Sequence, residues 1–479
     1  MRTFQYFVDN TWRDPASGQY FDSENPADGK VWARVPDCNA EDINHAVSAA
    51  RAAYYDGPWG KMHPAERGRM LRRIGDTISR HADRLGEIET RDNGKLPKNI
   101  TPSLKADAWQ VDSFHYYAGM CDKFEGRLIP AEVPDMHNYL KWEPFGVVAQ
   151  ILPWNSPLGT LIWKLAPCLA AGNTVVMKPS PYTPLSTLRM AEIMNECLPP
   201  GVLNCVSGED ELGQWMTEHS GIQKIIFTGS IPTGKRVMSS SSATLKRLTL
   251  ELGGNDAGIV LDDVDPAAVA PGIIEGAFLN NGQTCAALKR LYVHESVHDE
   301  LCEKLAEVAN AVPMGNGLNE ENLQGPIQNK MQYDKVVDLF EDAKKQGGKV
   351  LCGGEIPDEP GYFMPYTLVA DVRDGMRIVD EEQFGPLLPI IKYSELEDAI
   401  KSANSLETGL GGSVWSSDLE RAAEVASRLE CGTAWVNGHG GIAPNVPFGG
   451  VKCSGIGVEF AEEGLHEYTN IQIVNVAKA

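Results

Sequence analysis

The alternation of short β-branched runs with helical stretches predicts an α/β chain built on two parallel sheets. Three observations carry that prediction. From Gly146, β-type runs at 147–152, 174–178, 203–206, 224–227 and 247–250 are separated by helical patterns at 158–171, 185–196, 209–218 and 233–239. A second series follows, with a strand at 257–261, a helix at 266–279, a strand at 290–294 and a helix at 298–312. The chain has 479 residues, 42% of them hydrophobic, which is more than one core usually supports. The pair Gly253-Gly254 separates the two series.

Ahead of the first series, residues 1–30 are polar and turn-rich (Asp14-Pro15, Ser17-Gly18, Asn25-Pro26), so they read as short strands and turns wrapping a core. Helices are expected at 41–53 and 65–90, where Met70, Leu71, Ile74 and Ile78 share a face and Asp92-Asn93-Gly94 makes the break. Two further pieces, 127–139 and 468–476, read as edge strands, the second alternating through Ile471, Ile473 and Val476. An unpaired edge invites another strand, so pairing with a second subunit is expected.

Bulk properties narrow the function. A net charge of −22 argues against nucleic acid or an anionic membrane as partner. The ten cysteines form no C-x-x-C pair and do not cluster with the ten histidines, so reduced thiols and no metal are expected. The start lacks an apolar leader, and the most apolar stretch, 158–177, is interrupted by Lys164 and Asn173; a cytoplasmic protein is expected.

Five places carry chemistry. Cys285, in Phe278-Leu-Asn-Asn-Gly-Gln-Thr-Cys285, is either a nucleophile or one more small core residue. Asn155, fixed between prolines in Pro153-Trp154-Asn155-Ser156-Pro157, can donate to an oxyanion or cap a turn. Glu251, at a strand end before the glycines, can act as general base on water or remain a solvated carboxylate. No G-x-G-x-x-G occurs; the nearest equivalent, Phe227-Thr-Gly229-Ser230-Ile-Pro-Thr-Gly234, follows a strand and opens a helix, where backbone N–H groups favour phosphate or Ser230 simply caps. Lys178 ends a neighbouring strand, presenting a cation to the same crevice.

Taken in order, P-W-N-S-P at 153, K-P-S at 178, F-T-G-S at 227, E-L-G-G-N at 251, G-Q-T-C at 282, E-E-Q-F-G-P at 381 and P-F-G-G-V-K at 447 resemble the aldehyde dehydrogenase superfamily. The resemblance spans nearly the whole chain, from Asn25-Pro26 to Tyr468. It implies a Rossmann-like cofactor domain (1–125 and 145–253), an α/β catalytic domain (254–460) and a small β oligomerisation element (126–144 and 461–479), assembled as a homodimer or homotetramer.

The same resemblance implies that Cys285 attacks an aldehyde to give a thiohemiacetal held by Asn155 and the Cys285 N–H. Hydride then passes to the nicotinamide, and Glu251 activates the water that hydrolyses the thioester; Glu459 assists proton transfer. It assigns Lys178 to the adenosine ribose, Ser230 and Gly229 to the pyrophosphate, Glu382 to the nicotinamide ribose, and Phe384 and Trp154 to the cofactor's surroundings.

Two departures matter. Many NAD-using members carry Glu three residues after the lysine, where this chain has Pro181; with no nearby Arg or extra Lys evident to attract a 2′-phosphate, NAD is expected, with NADP as the alternative. Trp163 stands where semialdehyde-oxidising relatives often have Arg, and Ser156 where they often have an aromatic, so the expected substrate is a neutral apolar or aromatic aldehyde in a widened tunnel. Trp109, Leu279, Ile442 and Phe448 are expected walls, with Thr284 and Ala286 beside the thiol, though each is also compatible with core packing. His439, in a glycine-rich loop, is expected at the surface. The competing readings are a semialdehyde or CoA-acylating dehydrogenase, against which Glu251 speaks, and a catalytically silent binding protein.

Overall fold

The computed structural model describes residues 2–106, 108–132 and 135–477; positions 133, 134, 478 and 479 of the expected oligomerisation element lie outside them. The first series forms an eight-stranded sheet in the order Gly455–Ile456, Arg247–Glu251, Lys224–Thr228, Val147–Ile151, Thr174–Lys178, Leu203–Cys205, Tyr6–Val8, Thr11–Arg13. The five central strands run parallel, and their apolar residues are buried on both faces, as expected where helices cover each side. Antiparallel strands close both edges. The closing strand Gly455–Ile456 comes from within the 254–460 segment, so this segment contributes to the first sheet as well.

From Val147–Ile151 the chain moves outward through Thr174–Lys178 and Leu203–Cys205, then returns to the other side at Lys224–Thr228. Where strand order reverses, the helices leave in opposite directions and a crevice opens beyond the strand ends. Trp154-Asn155 and Gly229-Ser230 follow the two strands flanking that reversal.

The second sheet has seven strands in the order Lys349–Cys352, Thr367–Ala370, Leu387–Tyr393, Leu288–His294, Asp256–Val260, Gly411–Trp415, Thr433–Val436, parallel except at the first. Only Leu252 to Asn255 separates it from the strand that carries Glu251, so the two sheets meet beside that residue. A third sheet projects from the body: Thr469–Ala477 pairs along its length with Met136–Pro144, which pairs with Arg127–Ile129. Leu128, Tyr139, Ile471, Ile473 and Val476 are exposed on it.

The single helix expected at 65–90 is two, Pro64–Arg80 and Ala82–Asn93, broken at His81, whose backbone leaves helical geometry. Both halves present apolar residues inward, so periodicity alone did not reveal the joint. Among the described residues, no helix is long and apolar enough to cross a membrane.

Candidate active site

Asn155 owes its position to what lies beneath it. Two buried carboxylates on the helix Ala82–Asn93 cap its neighbours: Glu89 accepts the Leu158 N–H (3.1 Å) and Asp92 accepts the Leu185 N–H (2.9 Å), each meeting the positive end of a helix. Burial raises the Asp92 carboxyl to about 7. Lys95 donates to Ser156 Oγ (3.0 Å) and faces Glu89 at 3.8 Å, while Asn93 Nδ2 donates to the Trp154 carbonyl (2.6 Å). The turn is thereby clamped from below.

The thiol loop is held from the other side. Asn280, Asn281 and Gly282 take left-handed φ of 54°, 58° and 74° in succession, a conformation Asn and Gly adopt at least cost. Asn280 Nδ2 donates to the Asn155 carbonyl (2.9 Å), and Asn155 Nδ2 donates to the Gln283 carbonyl (2.9 Å), two residues before Cys285. The structure therefore brings Asn155 to the thiol loop, with one of its two amide hydrogens on that loop and the other uncommitted.

Cys285 is partly exposed, and its surroundings are apolar: Ala286, Leu410, Phe448 and Phe460 are buried beside it, with Trp109, Trp163, Trp435 and Ile442 packed around them. Trp163 meets Trp109 at 5.4 Å and Phe460 at 5.3 Å between ring centres. Burial, and then the Glu251 charge, push the thiol pKa well up, against an opposing pull from Lys289. Glu251 is likewise raised, to about 8, by burial first and the charge of Glu459 second, with Lys164 and Cys285 pulling it down. Its Oε1 has no hydrogen-bond partner. Glu459, by contrast, is ion-paired with Lys164, which is fully buried.

Of the other expected substrate positions, Phe448 is buried, Leu279 is 47% exposed, and Thr284 bonds the Leu279 carbonyl at 3.2 Å. Ser156 is occupied by Lys95, an interaction its sequence neighbours do not reveal.

From this centre a cleft of about 930 Å³ runs to the strand ends of the first sheet, lined by Trp154, Lys178, Gly229, Ser230, Glu382 and Phe384 among others. All the expected cofactor residues therefore share one cavity with Cys285, Glu251 and Asn155. Ser230 Oγ caps the helix Ile231–Ser241, accepting the Thr233 N–H, so its hydroxyl serves the helix whose N-terminus faces the cleft. Lys178 is 4% exposed and, among the described residues, its ammonium hydrogen-bonds only the Pro179 carbonyl, at 3.5 Å; burial lowers it to about 8, against the charges of Asp210, Asp37 and Glu209. Trp154 and Phe384 meet edge to face at 5.2 Å.

Three placements correct or extend the sequence reading. Arg236, in the second turn of the helix that Ser230 caps, and Lys335 line the cleft, so cations are present where none was evident; Asp210, Glu211 and Glu218 line it too. Lys289, which no motif singled out, pairs with Glu382 at 2.9 Å and donates to the carbonyls of Gly254 and Cys285, tying the cofactor side of the cleft to the thiol. Gly253 permits this closeness, since a Cβ there would stand 2.5 Å from Glu382 Oε2. And His439 is not at the surface: its side chain is fully buried against Asp256, because the loop folds back over the second sheet.

A doubly wound sheet whose crevice ends on a thiol, a carboxyl and an amide is the layout of a nucleotide-using enzyme. The comparisons agree. A family model described as the aldehyde dehydrogenase family matches residues 12–474. Aldehyde dehydrogenase 1A1 of Homo sapiens is 42% identical over 474 residues, covering 98% of this chain and 94% of its own, and retinaldehyde dehydrogenase 3 of Rattus norvegicus is 40% identical over 478 residues, covering 98% and 92%. An NAD+ complex of an aldehyde dehydrogenase from Bacillus cereus superposes with a TM-score of 0.96 at 38% identity, covering 99% of this chain and 96% of that one. Betaine aldehyde dehydrogenase from Staphylococcus aureus, also with NAD+, gives 0.95 at 34% identity, covering 99% and 94%.

This chain belongs to the aldehyde dehydrogenase family. It is an enzyme that oxidises aldehydes with a nicotinamide dinucleotide.

Proposed function

We propose that the protein oxidises a neutral apolar or aromatic aldehyde to its carboxylic acid with NAD+, through a thiohemiacetal and a thioester on Cys285. The observation that carries this reading is that Cys285, Glu251 and Asn155 open into the same cleft as the crevice of the first sheet.

Residues 1–125 and 145–253 act as the cofactor domain, 254–460 as the catalytic domain, and 126–144 with 461–479 as the oligomerisation element. The exposed Ile471, Ile473 and Val476 fit a strand that pairs with a second copy in a dimer or tetramer. Light scattering of Ile473→Lys should show a smaller assembly; an unchanged mass would remove this assignment.

The cleft suits a dinucleotide in size and donors: a helix N-terminus for phosphate, Lys178 for ribose hydroxyls, and Glu382, braced by Lys289, for the second ribose. Bound there, the cofactor supplies the hydride acceptor. Asp210, Glu211 and Glu218 outnumber Arg236 and Lys335 among the added charges, which favours a free 2′-hydroxyl over a 2′-phosphate.

The chain's own groups divide the rest. Cys285 is a thiol at rest because burial and the Glu251 charge push its pKa up, so attack on a carbonyl requires proton removal, and Glu251 is the carboxyl beside it, able to take the proton once ionised. The free amide hydrogen of Asn155 and the Cys285 N–H stabilise the oxyanion. After oxidation Glu251 takes a proton from water, and a carboxyl raised to about 8 is a stronger base than an ordinary glutamate. Glu459, ion-paired with Lys164, adds negative charge that helps hold the Glu251 proton, and so keeps that carboxyl a strong base once it ionises. Trp109, Trp163, Ile442 and Phe448 supply apolar walls.

The test is a panel of aliphatic, aromatic and carboxylated aldehydes with NAD+ or NADP+, with and without CoA, followed by reduced nicotinamide. Aromatic and aliphatic aldehydes should react with NAD+ independently of CoA. A preference for carboxylated aldehydes, or a requirement for CoA, would overturn the proposed substrate class or the hydrolytic step respectively.

A further inference from the structure

The glycine-rich loop after the strand Thr433–Val436 contains a buried ionisable pair that the reaction outlined above does not use. His439 Nε2 lies 3.6 Å from Asp256 Oδ2, and both side chains are fully buried. Neither oxygen of Asp256 has a hydrogen-bond partner, nor does His439 Nε2. Unpaired, a carboxylate so placed is costly, which makes the imidazole facing it the natural source of compensation. The other ring nitrogen is accounted for: His439 Nδ1 and Ser413 Oγ are 2.9 Å apart, and Ser413 Oγ accepts from Trp415 Nε1 (3.1 Å). With the serine hydrogen given to Nδ1, the ring hydrogen lies on the side of Asp256.

The pair brackets the thiol loop. Asp256 Oδ1 and the Cys285 carbonyl both lie within 3 Å of where a Cβ on Gly254 would stand, at 2.6 Å and 2.9 Å. On the other flank, Gly440, next to His439 and at φ 78°, has its Cβ position 3.2 Å from the carbonyl of Ala286, the residue after the nucleophile. Trp435 Nε1 donates to the Gly441 carbonyl (2.9 Å), and Ile442 packs in the cluster around Cys285.

We propose that His439 is a positioning residue for Cys285: held on Asp256, its ring offsets the negative charge behind the thiol loop and thereby sets the pH at which the thiol reacts. The proposal rests on the reading of Cys285 as nucleophile. Asp256 is among the charges that raise the Cys285 pKa, while Lys289, at the Cys285 carbonyl, lowers it and Glu251 raises it. The other groups packed on the pair are Arg290, whose guanidinium is committed to the carbonyls of Asn255, Ser402 and Ala403, the thiol of Cys431, the indole of Trp435, and Gly276 of the helix Pro266–Phe278. His439 alone among these sets a basic nitrogen within 4 Å of the carboxylate.

The experiment is alkylation of the full-length protein by iodoacetamide across pH, read at the Cys285 peptide by mass spectrometry. His439→Gln should move the midpoint of the rate profile up by about one pH unit, or about tenfold slower reaction at neutral pH, and Asp256→Asn should move it down. The double variant should follow Asp256→Asn. A part that merely held the loop would shift both single variants the same way, and that result, or an unmoved midpoint in His439→Gln, overturns the proposal. If His439→Gln does not fold, Asp256→Asn decides alone: a lowered midpoint supports the pair, an unchanged or raised one removes it. Aldehyde turnover retained in Cys285→Ala would defeat the nucleophile reading separately, leaving the titration of Cys285 to be judged by the alkylation profile.

Discussion

The two ends of the cleft solve opposite electrostatic problems. At the thiol end Glu251 is buried and Cys285 sits among apolar side chains, and both are pushed toward their neutral forms by burial. At the far end Lys178 is equally shielded, but Asp210, Glu211, Glu218 and Arg236 open onto the same space and solvent. A proton-transfer centre benefits from groups that titrate near neutrality and from the exclusion of bulk water. A cofactor site benefits from fixed charges that recognise hydroxyls and phosphates. The difference teaches that burial shifts groups at both ends, but only the nucleotide end adds charges that open onto the cleft, and substitutions should separate the two.

The largest effect is expected from Cys285→Ala, which should lower turnover by about 10³-fold or more while NAD+ binding, followed by nucleotide fluorescence quenching, stays within about twofold. Turnover near the wild-type level would break the contrast at its root.

Glu251→Gln comes next. With its carboxyl raised to about 8, Glu251 is mostly protonated below that pH and becomes the base above it, so steady-state hydrolysis should rise with pH through about 8. In the variant that rise should vanish and the rate fall by about 10²-fold. Stability provides the converse measurement. A folded-state pKa above the ordinary 4.5 means that ionisation costs more in the folded protein, so this group's contribution falls as pH rises from 4.5 to about 8. Melting temperatures at pH 5 and pH 9 should therefore differ less in Glu251→Gln than in the wild type; an equal difference would show that burial does not govern this group.

The smallest effects belong to the charged end. Lys178→Ala should raise the KM for NAD+ by about tenfold and leave the hydride burst at saturating cofactor nearly unchanged. Asp210→Asn should narrow the preference for NAD+ over NADP+ by about threefold, because one repulsive charge is removed. A burst lost in Lys178→Ala would join the two ends that the structure separates.

Much of this was legible in the chain. Local signals marked the five central strands of the first sheet, two strands of the second and the Gly253-Gly254 junction, since apolar period and glycine breaks act over neighbouring residues. Cys285, Asn155, Glu251 and Lys178 were visible because each sits at a strand end or a rigid turn, where a parallel sheet points its ligands. What could not be read was who pairs with whom. Lys164 appeared as an interruption in an apolar stretch; that it meets Glu459, 295 positions away, is a long-range contact. Lys289 reaches Glu382, and Lys95 fills the space beside Ser156.

His439 shows the limit most plainly. Its glycine-rich surroundings predict an exposed loop, and only the closing of that loop over the Asp256–Val260 strand buries the ring. The sequence by itself determined the parallel-sheet scaffold and the candidate reacting groups, because periodicity and motif spacing are local properties of a chain. Tertiary structure alone decided the charge state those groups rest in, because desolvation and ion pairing depend on which distant residues exclude water or face a given carboxylate or thiol.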